Sequence, residues 1–175
     1  MSPYENLPDS QWKKVTKKLV NEHPLSSDIL IDTVLEAWNG ILKTKIADEL
    51  QIGRDIFPTP QILGNYLHEL IPVFLEKKYP GQWTRDIEKK DKDLVCVANP
   101  YYSVEIKTSS NANNIYGNAS YGQEDSASAS SKTKDGYYLA VNFEKFNPSN
   151  KDFIPLNITV RQSRQSGVAR ATCPD

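Results

Sequence analysis

The sequence predicts a mixed α/β fold: a helical N-terminal region, then a mixed β-sheet of about four or five strands flanked by helices. Three observations carry this. Apolar residues recur at three- and four-residue spacing through 26–42 and 61–81, the period of an amphipathic helix. Short runs rich in β-branched and aromatic residues then appear at 93–98, 102–109, 136–146 and 153–162. Helices precede strands rather than alternating with them, so the chain is not a series of βαβ repeats.

Taken in order, DSQWKKVTKKLV (9–20) reads as a short basic amphipathic helix with Asp9 or Ser10 as its N-cap. In SSDILIDTVLEAWNGIL (26–42) the expected inward residues are Ile31, Val34, Leu35, Trp38, Ile41 and Leu42, and Gly40 weakens the end. QIGRDIFPTPQ (51–61) reads as a loop, closed by Thr59 as N-cap and Pro60 at the first helical position. In QILGNYLHELIPVFLEKKYPG (61–81), Ile62, Leu63, Tyr66, Leu67, Leu70, Ile71 and Phe74 trace a broad apolar face. Pro72 is expected to kink this helix and Pro80-Gly81 to end it. DLVCVA (93–98) and YSVEIKTS (102–109) read as a hairpin around Asn99-Pro100, where proline rules against a two-residue type I′ turn. GYYLAVNFEKF (136–146) and FIPLNITVRQ (153–162) supply the remaining strands. The expected organisation is one domain over 1–175: mainly helical over 1–80, a sheet over 91–162 and an irregular tail over 163–175.

Composition excludes several functions. With a net charge of −1, the chain cannot hold nucleic acid by bulk positive charge, so any such role needs a local surface. No apolar run approaches the roughly 18 residues of a membrane span, and MSPYENLPDSQWKK lacks a signal-like apolar segment. Cys96 and Cys173 form neither a disulfide framework nor a metal spacing, which suits a reducing cytoplasm. His23 and His68 are the only histidines, so a histidine-rich zinc site is out. A bound metal would rest on oxygen ligands, which points to Mg²⁺ or a similarly hard ion.

The pattern of an acid two residues before a lysine occurs at Glu76/Lys78, Glu88/Lys90 and Glu105/Lys107. Only the last lies in an apolar, strand-like run. Residues two apart on a strand share a face, so Glu105 and Lys107 stand together while Val104 and Ile106 face the core. Spacing alone fits either a surface ion pair or part of a metal-dependent cleavage site. A hairpin that pairs Val95 with Ser103 also sets Asp93 opposite Glu105, and any odd-length connection keeps the two on one face. Facing carboxylates repel unless a cation lies between them. A divalent ion there, with Lys107 beside it to orient or deprotonate a water or to stabilise charge on a phosphorus-bound oxygen, suits phosphodiester hydrolysis. Asp91 has the same parity as Asp93 and competes with it. Glu69 lies at the rim of the 61–81 apolar face, placed either to reach round the core edge toward a metal or to extend into water.

DKDLVCVANPYYSVEIKTSS resembles the catalytic core of PD-(D/E)XK nucleases. Together with IFPTPQILGNYLHELIPVFL, VEIKTSSNANNIYGNASYGQ and GYYLAVNFEKF, it resembles the ScaI family of type II restriction endonucleases from about Leu30 to Phe146. The resemblance implies a restriction-endonuclease-like core and Mg²⁺-dependent cleavage of both strands of a short palindromic DNA site, such as a ScaI-like six-base site. It maps the catalytic acids and lysine onto Asp93, Glu105 and Lys107, with Asp93 and Glu105 as metal ligands, and it maps a helix glutamate onto Glu69 as a further ligand. Other outcomes for such a scaffold are a structure-specific nuclease (a junction resolvase or repair nickase) or a non-catalytic DNA-binding module.

Directly after the charged strand stand Ser109, Ser110, Asn111, Asn113, Asn114, Tyr116, Asn118, Ser120, Tyr121 and Gln123, with no Lys or Arg between Lys107 and Lys132. Amide side chains pair with adenine edges, and hydroxyls reach phosphates, so this run is the expected DNA-contacting segment. Lys132, Lys134, Lys145, Arg161, Arg164 and the basic 13–18 stretch are candidate phosphate contacts. A palindromic site calls for a two-fold homodimer with one active site per strand.

Overall fold

The computed structural model describes residues 3–111, 136–147, 149 and 158–165, the last group as backbone only. Helix α1, Asp9–Asn21, starts one residue earlier than expected: Pro8 is its N-cap and Asp9 opens the first turn, where a carboxylate favours the positive helix end. Helix α2, Ser27–Lys43, is capped by Ser26, whose hydroxyl accepts from the Ile29 amide. A small hairpin of β1, Lys45–Ile46, and β2, Leu50–Gln51, follows. Thr59 and Pro60 open helix α3, Pro60–Lys78, as the sequence indicates, and the helix runs through a buried Pro72.

The expected inward faces are rotated. On α2 the buried residues are Leu30, Thr33, Val34, Ala37, Trp38 and Ile41, leaving Ile31 and Leu35 more than a third exposed. Thr33 is tolerated inside because its hydroxyl donates to the Ile29 carbonyl at 2.7 Å. On α3, Leu63, Gly64, Leu67, Ile71, Pro72 and Leu75 are buried, while Ile62 and Tyr66 are exposed.

The main sheet has five strands in the order β3-β4-β5-β6-β7: Trp83–Arg85, Leu94–Cys96, Val104–Ser109, Gly136–Phe143 and Ile158–Gln165. Only β5 and β6 are parallel; the other pairings are antiparallel. Two expectations are corrected. Strand β3 was not foreseen; it forms because Trp83 buries its ring and pairs opposite Cys96. Strand β7 continues through Ser163, Arg164 and Gln165, which pair with β6 up to Gly136, so the irregular tail does not begin at 163. Residues 166–175 lie outside the described part.

Among the described residues, all three helices touch the same face of the sheet. Helix α1 meets it where the Tyr137 hydroxyl donates to the Leu19 carbonyl. Helix α2 meets it through Trp38 against Phe143, with ring centroids 5.3 Å apart. Helix α3 meets it where Gly64 lies on Thr108. Val104, Ile106, Tyr137, Leu139, Val141 and Phe143 line this face and are buried in one core with Leu63, Leu67, Ile71 and Leu75. Period-two alternation then sends Glu105, Lys107 and Ser109 to the opposite face.

His23 ties the α1–α2 turn to the hairpin that precedes β5. It is 5% exposed, accepts from the Leu25 amide at Nδ1 and bonds the Tyr102 carbonyl through Nε2 at 2.9 Å, an arrangement that fits the neutral ring. Burial lowers its pKa, against the opposing pull of the Tyr102 and Leu25 backbone groups.

Candidate active site

Glu105 and Lys107 come from β5, the central strand, whose backbone is paired with β6 along its whole length and with β4 at Val104. Lys107 Nζ donates to Glu105 Oε1 at 2.8 Å, and the two side chains are only 18% and 7% exposed. This is therefore not the surface ion pair that the spacing alone allowed. An almost buried ion pair costs desolvation, and hydrophobic residues of similar shape would be no less stabilising in its place, so stability alone does not explain it.

Asp93 stands just before β4. Leu94 pairs with Val104, the register that sets Asp93 opposite Glu105. Beyond that pair the chain leaves the sheet, and the Asp93 carboxylate takes over at the strand edge: its Oδ2 accepts from the Ile106 amide at 2.7 Å. The carboxylate is thus anchored to the backbone between Glu105 and Lys107. Asp91, its competitor by parity, instead caps a turn, accepting from the Ile87 and Glu88 amides at 3.2 and 2.9 Å. The connection between β4 and β5 is a short 3-10 turn, Pro100–Tyr102, opened by Asn99, whose side chain accepts from the Tyr101 amide.

Two residues that the sequence did not single out join this group. His68 of α3 brings Nδ1 to 3.6 Å from Asp93 Oδ2. Lys92 sets its ammonium 5.4 Å from the ring centre of Tyr138, which is the β6 partner of Glu105. The available signals were adjacency to Glu69 and to Asp93, and neither fixes a contact without the fold. Glu69 itself is exposed on α3, one residue from His68. Of the four expected catalytic residues, Asp93, Glu105 and Lys107 come together on and beside β5, and Glu69 is exposed on α3.

Among the described residues, no three His, Cys, Asp or Glu side chains form a metal-holding cluster. Asp93, just before β4, and Glu105 on β5 supply two carboxylates, which fits a hard ion that keeps several waters and takes only one or two protein carboxylates.

Past Lys107, the end of β5 opens into a cleft of about 490 Å³ between the first turns of α3 and the ends of β5 and β6. Ser109, Ser110 and Asn111 line it. The exit from β5 is held down: the Asn111 amide donates to Ser109 Oγ at 3.1 Å, and the Asn142 side chain donates to the Asn111 carbonyl. Of the expected DNA-contacting residues, Asn113, Asn114, Tyr116, Asn118, Ser120, Tyr121 and Gln123 lie outside the described part, as do Lys132 and Lys134. No helix among the described residues is long and apolar enough to cross a membrane.

The chain matches the profile of the ScaI restriction endonuclease family over residues 2–162. It is 44% identical over 145 residues to the type II restriction enzyme ScaI of Streptomyces caespitosus, covering 83% of this chain and 63% of that relative. The chain thus spans less than two thirds of the relative's length. No solved structure matches it. A mixed sheet with an acid and a lysine on its central strand fits a restriction-endonuclease-like core. With a profile match over most of its length, the chain belongs to the ScaI restriction endonuclease family.

Proposed function

We propose that this chain, as one nuclease domain over 1–175, is a type II restriction endonuclease that hydrolyses both strands of a short palindromic DNA site. It works as a homodimer in the cytoplasm and depends on Mg²⁺. The observation that carries the proposal is the nearly buried Glu105–Lys107 pair, with Asp93 in register across it. Asp93 and Glu105 would hold the ion, and Glu69 is a further candidate that has to reach in from an exposed position. When bound, the ion supplies Lewis acidity toward a phosphate oxygen and a lowered pKa for water. Lys107 brings three N–H donors to the same face. They suit it to orient the attacking water or to offset charge developing on a phosphorus-bound oxygen, and only as the neutral amine, with a free lone pair, would it accept a proton from that water. Ser109, Ser110, Asn111, Asn113, Asn114, Tyr116, Asn118, Ser120, Tyr121 and Gln123 are the residues expected to contact the DNA. A ScaI-like six-base palindrome is the expected target.

The test is digestion of phage DNA by the full chain with Mg²⁺, in parallel with Glu105→Gln and Lys107→Ala. Discrete fragments from the parent, with cutting reduced on the order of a hundredfold or more in each variant while DNA binding persists, support the proposal. Cutting confined to branched DNA identifies a junction resolvase or repair nickase instead. DNA binding without any metal-dependent cutting identifies a non-catalytic module.

A further inference from the structure

The cleft beyond Lys107 contains more than the segment that leaves β5. Its other wall is α3, where Gln61 and Asn65 lie one turn apart and line the same space, and Lys145 stands at the far side. The helix comes this close because residue 64 has no side chain: a Cβ there would sit 2.6 Å from Thr108 Oγ1. Close docking of α3 on β5 therefore sets two helix amides against Ser110 and Asn111.

The lining is mostly neutral amides and hydroxyls, with one ammonium. A phosphate favours cations and converging backbone N–H groups. A base edge offers a donor beside an acceptor, and a carboxamide answers both at once. Ser109 is two residues along β5 from Lys107, roughly 7 Å at strand rise. That is about two nucleotide steps of roughly 3.4 Å along one strand. The cleft is thus within reach of bases next to a phosphate held at Asp93, Glu105 and Lys107.

We infer that Gln61 and Asn65 of α3 are specificity-determining residues that read base edges in this cleft, opposite Ser110 and Asn111, while Lys145 holds the DNA backbone. This rests on the restriction-endonuclease reading above. It adds a helix to the DNA-reading surface, which the sequence had placed wholly after β5.

The test begins with the parent enzyme. Sequencing the ends of its digest of genomic DNA gives the site, and two labelled duplexes follow, one with the site and one scrambled. Affinities are measured by fluorescence anisotropy in Ca²⁺, with thermal melts to confirm folding. Gln61→Ala and Asn65→Ala are each expected to lower the site-to-scrambled affinity ratio roughly 10- to 100-fold, with scrambled binding nearly unchanged. Asn65→Asp and Gln61→Glu, which keep side-chain size, should lower the same ratio. Lys145→Ala should weaken both duplexes alike and reduce the salt slope by about one. An unchanged ratio in both alanine variants, whether affinity for the two duplexes falls in parallel or not at all, overturns the inference and leaves the endonuclease reading intact. A parent enzyme that gives no discrete ends overturns both.

Discussion

Replacing Gly64 with alanine probes the docking of α3 on the catalytic strand. The added methyl would lie 2.6 Å from Thr108 Oγ1, about 0.8 Å inside ordinary contact, so helix or strand must give way. Overpacking of this kind costs about 1–3 kcal/mol. Alanine in a helix interior returns about 1 kcal/mol relative to glycine. The net expectation is a loss of about 0–2 kcal/mol. Thr108→Ala removes the obstructing oxygen and leaves Thr108 Cβ, 3.6 Å from the new methyl, as the nearest atom, which is ordinary contact. In the Gly64→Ala/Thr108→Ala double variant the helix gain should therefore emerge. Urea unfolding of the parent, both single variants and the double variant gives the coupling directly, expected at about 1 kcal/mol or more. A Gly64→Ala variant that alone gains the full helix increment, or simple additivity of the two changes, would refute a steric conflict between residue 64 and Thr108.

Ser103→Ala leaves the buried Cys96 amide without the hydroxyl it donates to at 3.1 Å, and should cost about 1–3 kcal/mol in thermal or urea unfolding. His23 carries a pH dependence. Its folded pKa lies below the ordinary 6.5, so between those two values the unfolded chain binds more protons. Stability should then fall as pH drops below about 6.5, and a His23→Gln variant should lose much of that slope in urea midpoints taken from pH 7.5 to 5. His68→Ala should raise the Mg²⁺ concentration for half-maximal cleavage about tenfold and weaken Ca²⁺ binding in calorimetry, because it removes a neighbour that orients Asp93. His68→Asn should recover part of both; equal metal affinity in all three proteins would dismiss that role.

What the sequence made legible follows from how local each feature is. The placement of Asp93 opposite Glu105 depends only on strand parity and a hairpin of the right length, and the Leu94–Val104 register bears it out. The start of α3 was likewise local, a Thr-Pro pair at the first turn. The inward faces of α2 and α3 were misjudged because both helices carry apolar residues over much of their circumference. Which of them turn inward is decided by the sheet they meet, not by spacing, and Ile31, Leu35, Ile62 and Tyr66 stay exposed. Strand β3 is too short to show a period and exists through its pairing with β4. In the site, Asp91 and Asp93 were indistinguishable by parity until the turn at Ile87–Glu88 claimed Asp91. His68 was out of reach for a different reason. Its contact with Asp93 exists only once α3 has docked across the sheet, and no pattern within the helix distinguishes it from Glu69.

The single parallel pairing in the sheet has a consequence for how such an enzyme can change. Strand β5 ends at Ser109 and its parallel neighbour β6 begins at Gly136, so these two strand ends lie at opposite ends of the sheet. Closing a connection that long depends only logarithmically on its length, and doubling it costs about 0.6 kcal/mol. A change in the length of this connection thus carries little thermodynamic penalty, while Glu105 and Lys107 stay held by pairing to β6 on one edge of β5 and by the Asp93 carboxylate on the Ile106 amide at the other. On the proposed reading, the segment that helps choose the target lies next to the strand that cuts yet varies separately from it, so a lineage can drift to new sites without rebuilding the catalytic strand.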